Sequence, residues 1–322
     1  MPELPDVTVY VELLGRRVTG HPLKRVRVFS PFLLRTFEPP VEEAEGRNVL
    51  AVERLGKRIV LALDDDLFLV IHLMIAGRFR WKDASPPSVS SPQAVPARRA
   101  KPQPAFGKIT LAQFEFDAGL LGLTEASPKK RASLHVIRGR GALMVLAPRG
   151  LDGLSATTGA FIERLRSESR TLKRALTDPR LFDGVGNAYS DEILHAAQLS
   201  PLQLSRNLTD DEAARLHDAY RRVLTHWTDR LRAEFGLIGG AAGRFPGPGE
   251  ITAFRPDFAV HGKFGKPCPV CGAPVQRIIY AENECNYCAR CQTGGKVLSD
   301  RSMARLLRDD WPRTIEELEE QA

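Results

Sequence analysis

Cysteine is absent from most of this 322-residue chain; all five cysteines fall between positions 268 and 291. Disulfide frameworks are spread along secreted chains, so the clustering argues against one and for a metal. A long apolar run is absent too. The longest, "LFLVIHLMIAG", is about half the ~20 residues a membrane helix needs and is interrupted by His72. No basic segment with a following apolar stretch opens the chain, so no signal peptide is expected and the cytoplasm is the expected location. Acid is in deficit, with 39 Asp and Glu against 46 Lys and Arg and a net charge of +7. That excess points weakly to a polyanionic partner. Hydrophobic residues make up 43% of the chain, ample for buried cores, and its length predicts two or three structural units.

The basic charge is uneven. Between Pro96 and Arg140 nine lysines and arginines face only Glu115, Asp117 and Glu125, whereas Glu316, Glu317, Glu319 and Glu320 make the tail acidic. Residues from Val7 to about Leu146 read mainly as strands. "RIVLALDDDLFLVIHL" is a pair of β-rich runs turning at Asp64-Asp65-Asp66, "KITLAQFEFDAGLLGL" alternates at period two, and "ALMVLAP" is a further short strand candidate. Ala84 to Phe106 holds six prolines and four serines, the composition of a flexible loop or insertion. From Leu151 the period becomes helical. Thr209 with Glu212 forms a capping box with Leu208 as its staple, and Leu216, Tyr220, Val223, Trp227 and Leu231 mark one face of a long helix. Before it, "RTLKRALTDPRLFDGVGNAYSDEILHAAQLSP" reads as helix, glycine-containing turn, helix. The expected domains are 1–150, with the insertion at 84–106; 151–262; 263–296; and an extension over 297–322.

Cys268-x2-Cys271 and Cys288-x2-Cys291, sixteen residues apart, have the spacing of a four-thiolate zinc site, each pair on a tight knuckle. Four thiolates leave zinc no open position, so the expected role of one Zn²⁺ is structural. Cys285 reads as a spare thiol on the ribbon strand. Gly184 and Gly186 allow a tight turn whose backbone N–H groups can approach a phosphate, with a helix starting beside Asn187. Taken alone that is a weak signal. Lys57 alone reads as solvated, and His72 as a core histidine.

Together these pieces resemble the formamidopyrimidine-DNA glycosylase / endonuclease VIII family. "PELPDV", Lys57 before paired strands, "HLMIAG", "DGVGNAYSDEIL" and the terminal CxxC…CxxC stand in that family's order, over about residues 2 to 296. The resemblance implies an α+β multidomain fold: an N-terminal β-sandwich, a helix–two-turn–helix domain and a C-terminal zinc ribbon, with DNA in the cleft between the halves. It implies a bifunctional glycosylase and abasic-site lyase that excises oxidised or ring-opened bases. The partner is damaged duplex DNA or single strands; no membrane is involved, and the enzyme is expected to act as a monomer.

The opening "MPELPDVTVY" then acquires a reason. An α-amino group titrates near 8, against about 10.4 for lysine, so a chain terminus supplies neutral amine without burying a lysine. Removal of the initiator methionine would expose Pro2, whose secondary amine can attack C1′ and form a Schiff-base-type iminium. By resemblance Glu3 is the acid that shuttles protons. Val7, Val9 and Val11 alternate as the strand or helix start that anchors the segment. The resemblance further implies that Lys57 and Asn187 hold phosphates flanking the extruded nucleotide, that the ribbon adds a third grip, and that Glu192 positions the N-terminal amine.

Four departures qualify the match. Asp6 stands where the family has Glu, retaining the acid with one methylene less. Lys130 and Arg131 stand where the family places an arginine and a phenylalanine beside the gap left by the flipped base, and Ile75 replaces a methionine there, which puts a preference for 8-oxoguanine in doubt. Asn283 occupies the place of the ribbon arginine, giving up a charge-assisted bond worth roughly 1.5–3 kcal/mol unless Arg277 substitutes. Finally, the chain continues past the ribbon, where Leu306, Leu307 and Trp311 suggest a docking helix. These departures motivate an alternative: a damage- or structure-specific DNA-binding protein with base excision lost or redirected to bulky, alkylated or single-stranded lesions.

Overall fold

In the computed structural model the N-terminal segment is a helix, α1 (Leu4–Val18), where the valine alternation by itself suggests a strand. Three alternating valines are outweighed by Val7, Tyr10, Leu13, Leu14 and Val18, which recur at helical spacing and are buried. Pro5 sits in the first turn, where its missing N–H costs nothing. The structure describes residues 1–84, 103–240, 242–280, 283–298 and 312–320. Most of the proline-rich stretch, and Leu306, Leu307 and Trp311, lie outside them. The chain falls into two compact units: Met1–Ala147 with Thr228–Thr252, and Pro148–Trp227 with Ala253–Ala322.

The first unit holds two four-stranded antiparallel sheets. One runs β1 (Arg25–Val28), β6 (Thr110–Phe116), β7 (Gly119–Glu125), β5 (Gly77–Asp83); the other runs β2 (Val49–Leu55), β3 (Arg58–Leu63), β4 (Leu67–His72), β8 (Ser133–Arg138). Phe79, Ala112, Phe114, Leu121 and Leu123 of the first sheet share one core with Ile59, Leu61, Leu69, Ile71 and Val136 of the second, and α1 contributes to it. The β3–β4 pair turns at the expected aspartates with Leu63 opposite Leu67, and Asp65 and Asp66 pass through the left-handed region that aspartate tolerates. Its unbroken apolar sequence has a cause: Val60, Ala62, Phe68 and Val70 form a second core on the outer face with Leu143. Leu143 belongs to α2 (Arg140–Val145), a short helix where "ALMVLAP" suggests a strand. Covering a sheet face needs one inward residue per turn, and Met144 and Val145 are left exposed.

After β4 the chain turns over Leu73–Ala76, and the Gly77 N–H donates to the Leu73 carbonyl at 2.9 Å. A Cβ on Gly77 would lie 2.2 Å from that carbonyl oxygen. Gly77→Ala is therefore expected to destabilise the protein by about 3 kcal/mol, read as a lower urea midpoint at unchanged m-value.

The second unit is helical, with α3 (Thr158–Arg166), α4 (Leu172–Thr177), α5 (Asn187–Ala197) and the larger part of α6 (Asp210–Glu234). The capping box forms: the Glu212 N–H donates to Thr209 Oγ1 at 3.2 Å and the Thr209 N–H to Glu212 Oε2 at 2.9 Å. Leu216, Tyr220, Trp227 and Leu231 are buried along α6, but Leu224 takes the buried place expected for Val223, which is half-buried. The ribbon follows, as the hairpin β9 (Gln276–Tyr280) and β10 (Asn283–Tyr287) with α7 (Ala289–Thr293). Helix α8 (Ile315–Glu320) returns to it, placing Ile315 and Leu318 in the ribbon core.

Candidate active site, DNA-contact residues and metal centre

Three groups of predicted residues come together in the structure, one in the first unit and two in the second. In the first, Pro2, Glu3 and Asp6 are all buried. Asp6 Oδ2 accepts the Glu3 backbone N–H at 2.9 Å, so the shorter acid caps α1 and fixes the backbone of its neighbour. The terminal amino group, on Met1 here, lies among Glu3, Arg78, Asp6 and Lys57. Burial pushes it below the ordinary value of 8.0, the nearby carboxylates opposing and the Arg78 and Lys57 charges assisting. Lys57 follows Gly56 in the two-residue turn between β2 and β3, where Gly56 adopts φ 67°.

Arg78 was not anticipated. Its Nε donates to the Ile251 carbonyl at 2.7 Å and its Nη1 to the Gly77 carbonyl at 2.7 Å, which fixes the guanidinium in place. The only signal was its alternation with Phe79 along a strand. On the same turn Ile75 is 53% exposed. Arg131 is exposed as well, but Lys130 is folded back, its Nζ donating to the Glu125 carbonyl at 2.6 Å. Buried Glu125 holds that loop through the Arg131 and Ala132 N–H groups, each at 3.0 Å.

His72, expected in the core, is half-buried at the end of β4. Burial, aided by the Arg58 and Lys57 charges, pushes its imidazole from 6.5 down to about 4. A depressed folded value means that stability present above 6.5 is lost as pH falls through about 4. The denaturant midpoint of the native protein is expected to drop more steeply over that window than that of His72→Leu.

In the second unit Gly184 takes the left-handed conformation, φ 82°, and Asn187 opens α5. The Asn187 Nδ2 donates to the Glu284 carbonyl on the ribbon at 2.9 Å. Glu192 accepts three backbone N–H groups, from Ala259 at 2.8 Å and from Val260 and His261 at 2.9 Å. Burial pushes its carboxyl up and those three donors pull it down, with burial prevailing. Its neighbour Asp191 is fully buried and paired with Lys173 Nζ at 2.6 Å and His261 Nδ1 at 2.7 Å. Neither partner was legible: they stand 18 and 70 residues away in the chain. On the ribbon Arg277 lies on β9 with its guanidinium 4.2 Å from the Phe264 ring centre, and Asn283 pairs with Tyr280 across the hairpin.

The third group is the cysteine cluster. The sulfur atoms of Cys268, Cys271, Cys288 and Cys291 all lie within 4.8 Å of one another, and Cys285 is outside that set. Cys271 and Cys288 are 3.3 Å apart and Cys268 and Cys291 3.9 Å. Four thiolates at 2.3 Å from a tetrahedral ion are about 3.8 Å apart, so the donors fit one metal ion of that kind. Cys285 is buried on β10, and its thiol is pushed up by burial and by the charge of Asp191.

Known proteins match this chain along most of its length. The formamidopyrimidine-DNA glycosylase N-terminal domain matches residues 1–123, and the H2TH domain of the same glycosylases matches residues 149–230. The formamidopyrimidine-DNA glycosylase of Thermus thermophilus is 34% identical over 301 residues, 92% of this chain and 100% of that protein. That of Symbiobacterium thermophilum is 31% identical over 309 residues, 94% of this chain and 93% of that protein. The crystal structure of the MutM (Fpg) protein from Thermus thermophilus has a TM-score of 0.69 at 33% identity, covering 90% of this chain and 98% of that one. A Lactococcus lactis Fpg variant in complex with Fapy-dG-containing DNA shares the fold, with a TM-score of 0.71 at 24% identity over 91% of this chain and 100% of that one. Among the described residues no helix is long and apolar enough to cross a membrane. With two domain matches in order and relatives aligned over nearly their whole length, the chain belongs to the formamidopyrimidine-DNA glycosylase family.

Proposed function

We propose that this protein is a DNA glycosylase and abasic-site lyase of base excision repair, with Pro2 as nucleophile and Glu3 as the proton-transfer residue. The observation that carries the reading is the buried N-terminal segment, where the α-amino group sits beside Glu3, Arg78 and Lys57 and is pushed towards its neutral form. Removal of Met1 transfers that role to the secondary amine of Pro2. Its lone pair forms a bond to C1′ as the bond from C1′ to the damaged base breaks, and the base leaves with a proton. Glu3 then protonates O4′ as the C1′–O4′ bond opens, and loss of the nitrogen's proton leaves an iminium. The iminium acidifies C2′, so removal of a C2′ proton expels the 3′ phosphate.

Lys57 and Asn187 are proposed to hold backbone phosphates, which positions a strand without reading its sequence. Arg277 stands on a ribbon strand as a further cation for that role, with Asn283 opposite Tyr280 on the same hairpin. Ile75 and Arg131, both exposed, are proposed to occupy the gap left by the extruded nucleotide; Lys130 is engaged with its own loop. Cys268, Cys271, Cys288 and Cys291 would hold one zinc ion, whose role is to hold the ribbon together. Thiols with no disulfide among them suit a reducing cytoplasm.

The test is borohydride trapping on an oligonucleotide with one abasic site, followed by digestion and mass mapping. An adduct on the amine of Pro2 is the expected result. An adduct on Lys57 would reassign the nucleophile, and tight binding without any adduct would favour a DNA-binding protein that has lost excision.

A further inference from the structure

Helix α5 is fastened to the ribbon along its length. At its first turn Asn187 reaches the Glu284 carbonyl, and Asp191 Oδ2 accepts the Asn286 N–H at 3.1 Å. Beyond its last turn the Leu199 carbonyl accepts from Gln292 Nε2 at 2.9 Å, and Gln292 Oε1 in turn accepts the Cys288 N–H at 2.8 Å. Between these points lies His195, whose Nε2 is 3.3 Å from Cys268 Sγ. Both residues are buried, His195 at 6% exposure and Cys268 at 3%. The imidazole is outside the set of four sulfurs that lie within 4.8 Å of one another. It therefore touches one sulfur without belonging to the set of four.

We propose that His195 is a hydrogen-bond donor to the metal-bound thiolate of Cys268, a positioning residue that ties the metal centre to the helix carrying Asn187 and Glu192. The inference rests on the reading of the four cysteines as a metal site. The chemistry fixes the direction of the bond. A metal-bound cysteine has lost its proton and can only accept, so the Nε2–H must donate, and the bond is charge-assisted. Donation draws electron density from the sulfur and fixes the orientation of the thiolate. Partners of this kind are commonly worth 10–100-fold in metal affinity. The sequence hides the pairing, since His195 and Cys268 are 73 residues apart.

The test uses the full chain loaded with cobalt(II), as the native protein and as His195→Phe and His195→Gln. Phenylalanine removes the donor, and glutamine retains an N–H at similar reach. For His195→Phe the expected results are metal release to a chelating dye roughly 10–100-fold faster and a sulfur-to-cobalt charge-transfer band moved to lower energy. The ligand-field bands should keep their all-sulfur positions, and His195→Gln should restore both readouts. Native release rate and an unchanged charge-transfer band in His195→Phe would overturn the proposal. So would ligand-field bands that shift on substitution, which would make His195 a ligand. Should His195→Phe fail to fold, the native protein loaded with a spin-half cadmium isotope decides the matter. Coupling from the metal to the Nε2 proton through the sulfur supports the bond, and no coupling overturns it. A native chain that binds no cobalt at all would instead sink the metal reading beneath it.

Discussion

Glu3→Gln is expected to slow base release and strand cleavage by about 10²–10⁴-fold, the usual contribution of a positioned general acid or base. Binding to a duplex carrying an uncleavable abasic analogue should stay within about twofold. The two effects separate because of where Glu3 sits. Its backbone is held by the Asp6 cap and by the first turn of α1, where the Val7 N–H donates to the Glu3 carbonyl at 2.9 Å. An amide of the same size leaves that backbone in place and removes the carboxylate that can give and take a proton. Asp6→Ala is the informative contrast. It keeps the Glu3 carboxyl and removes the cap, so it should cost about 1 kcal/mol of stability with a much smaller loss of rate. Single-turnover cleavage of a duplex containing a ring-opened purine, alongside thermal melting, distinguishes the two. Equal rates for Glu3→Gln and the native protein would remove Glu3 from the chemistry. If Asp6→Ala lost as much rate as Glu3→Gln, position 6 would be acting on the substrate rather than on the helix.

The parts of the fold legible in the sequence are those fixed by short-range chemistry. The Asp64–Asp66 turn, the Thr209–Glu212 box and the paired CxxC knuckles each lie within a few residues, and each forms as read. What the sequence left open or misread shares a different cause. Val7, Val9 and Val11, and "ALMVLAP", are short apolar runs whose period is ambiguous until a partner surface is known. The α1 residues pack into the sandwich core and Leu143 caps an outer sheet face, and both surfaces are built by distant strands. The candidate site divides in the same way. Pro2, Glu3 and Glu192 stand in local motifs. Lys173, His261 and His195 act only through buried contacts made across tens of residues, and no spacing rule reports those.

Stripping the metal is expected to unfold the ribbon while leaving the sandwich intact. The ribbon core is small, and three of its buried members, Cys268, Cys285 and Cys288, are cysteines themselves. A lone two-stranded hairpin is at best marginally stable in water, whereas binding of a structural zinc ion is worth about 10–16 kcal/mol at neutral pH. A metal ion bound by those thiolates would therefore outweigh the packing. In hydrogen exchange with chelator present, the β9 and β10 amides should lose protection and those of β3 and β4 should retain it. The loss should propagate to α5. Without the ribbon, Asn187 loses the Glu284 carbonyl and Asp191 loses the Asn286 N–H, so the turn proposed to grip a phosphate is released. One charge-assisted contact is worth roughly 1.5–3 kcal/mol, so affinity for the abasic-analogue duplex should fall by roughly 10–100-fold. Cys288→Ser should reproduce both effects, because it removes a ligand from a donor set that has no spare. Cys285→Ser should not, since the Cys285 thiol lies on β10, outside the cluster. If β9 and β10 stayed protected in chelator, side-chain packing with Ile315 and Leu318 would be sufficient to hold the ribbon, and its metal would be dispensable for the fold.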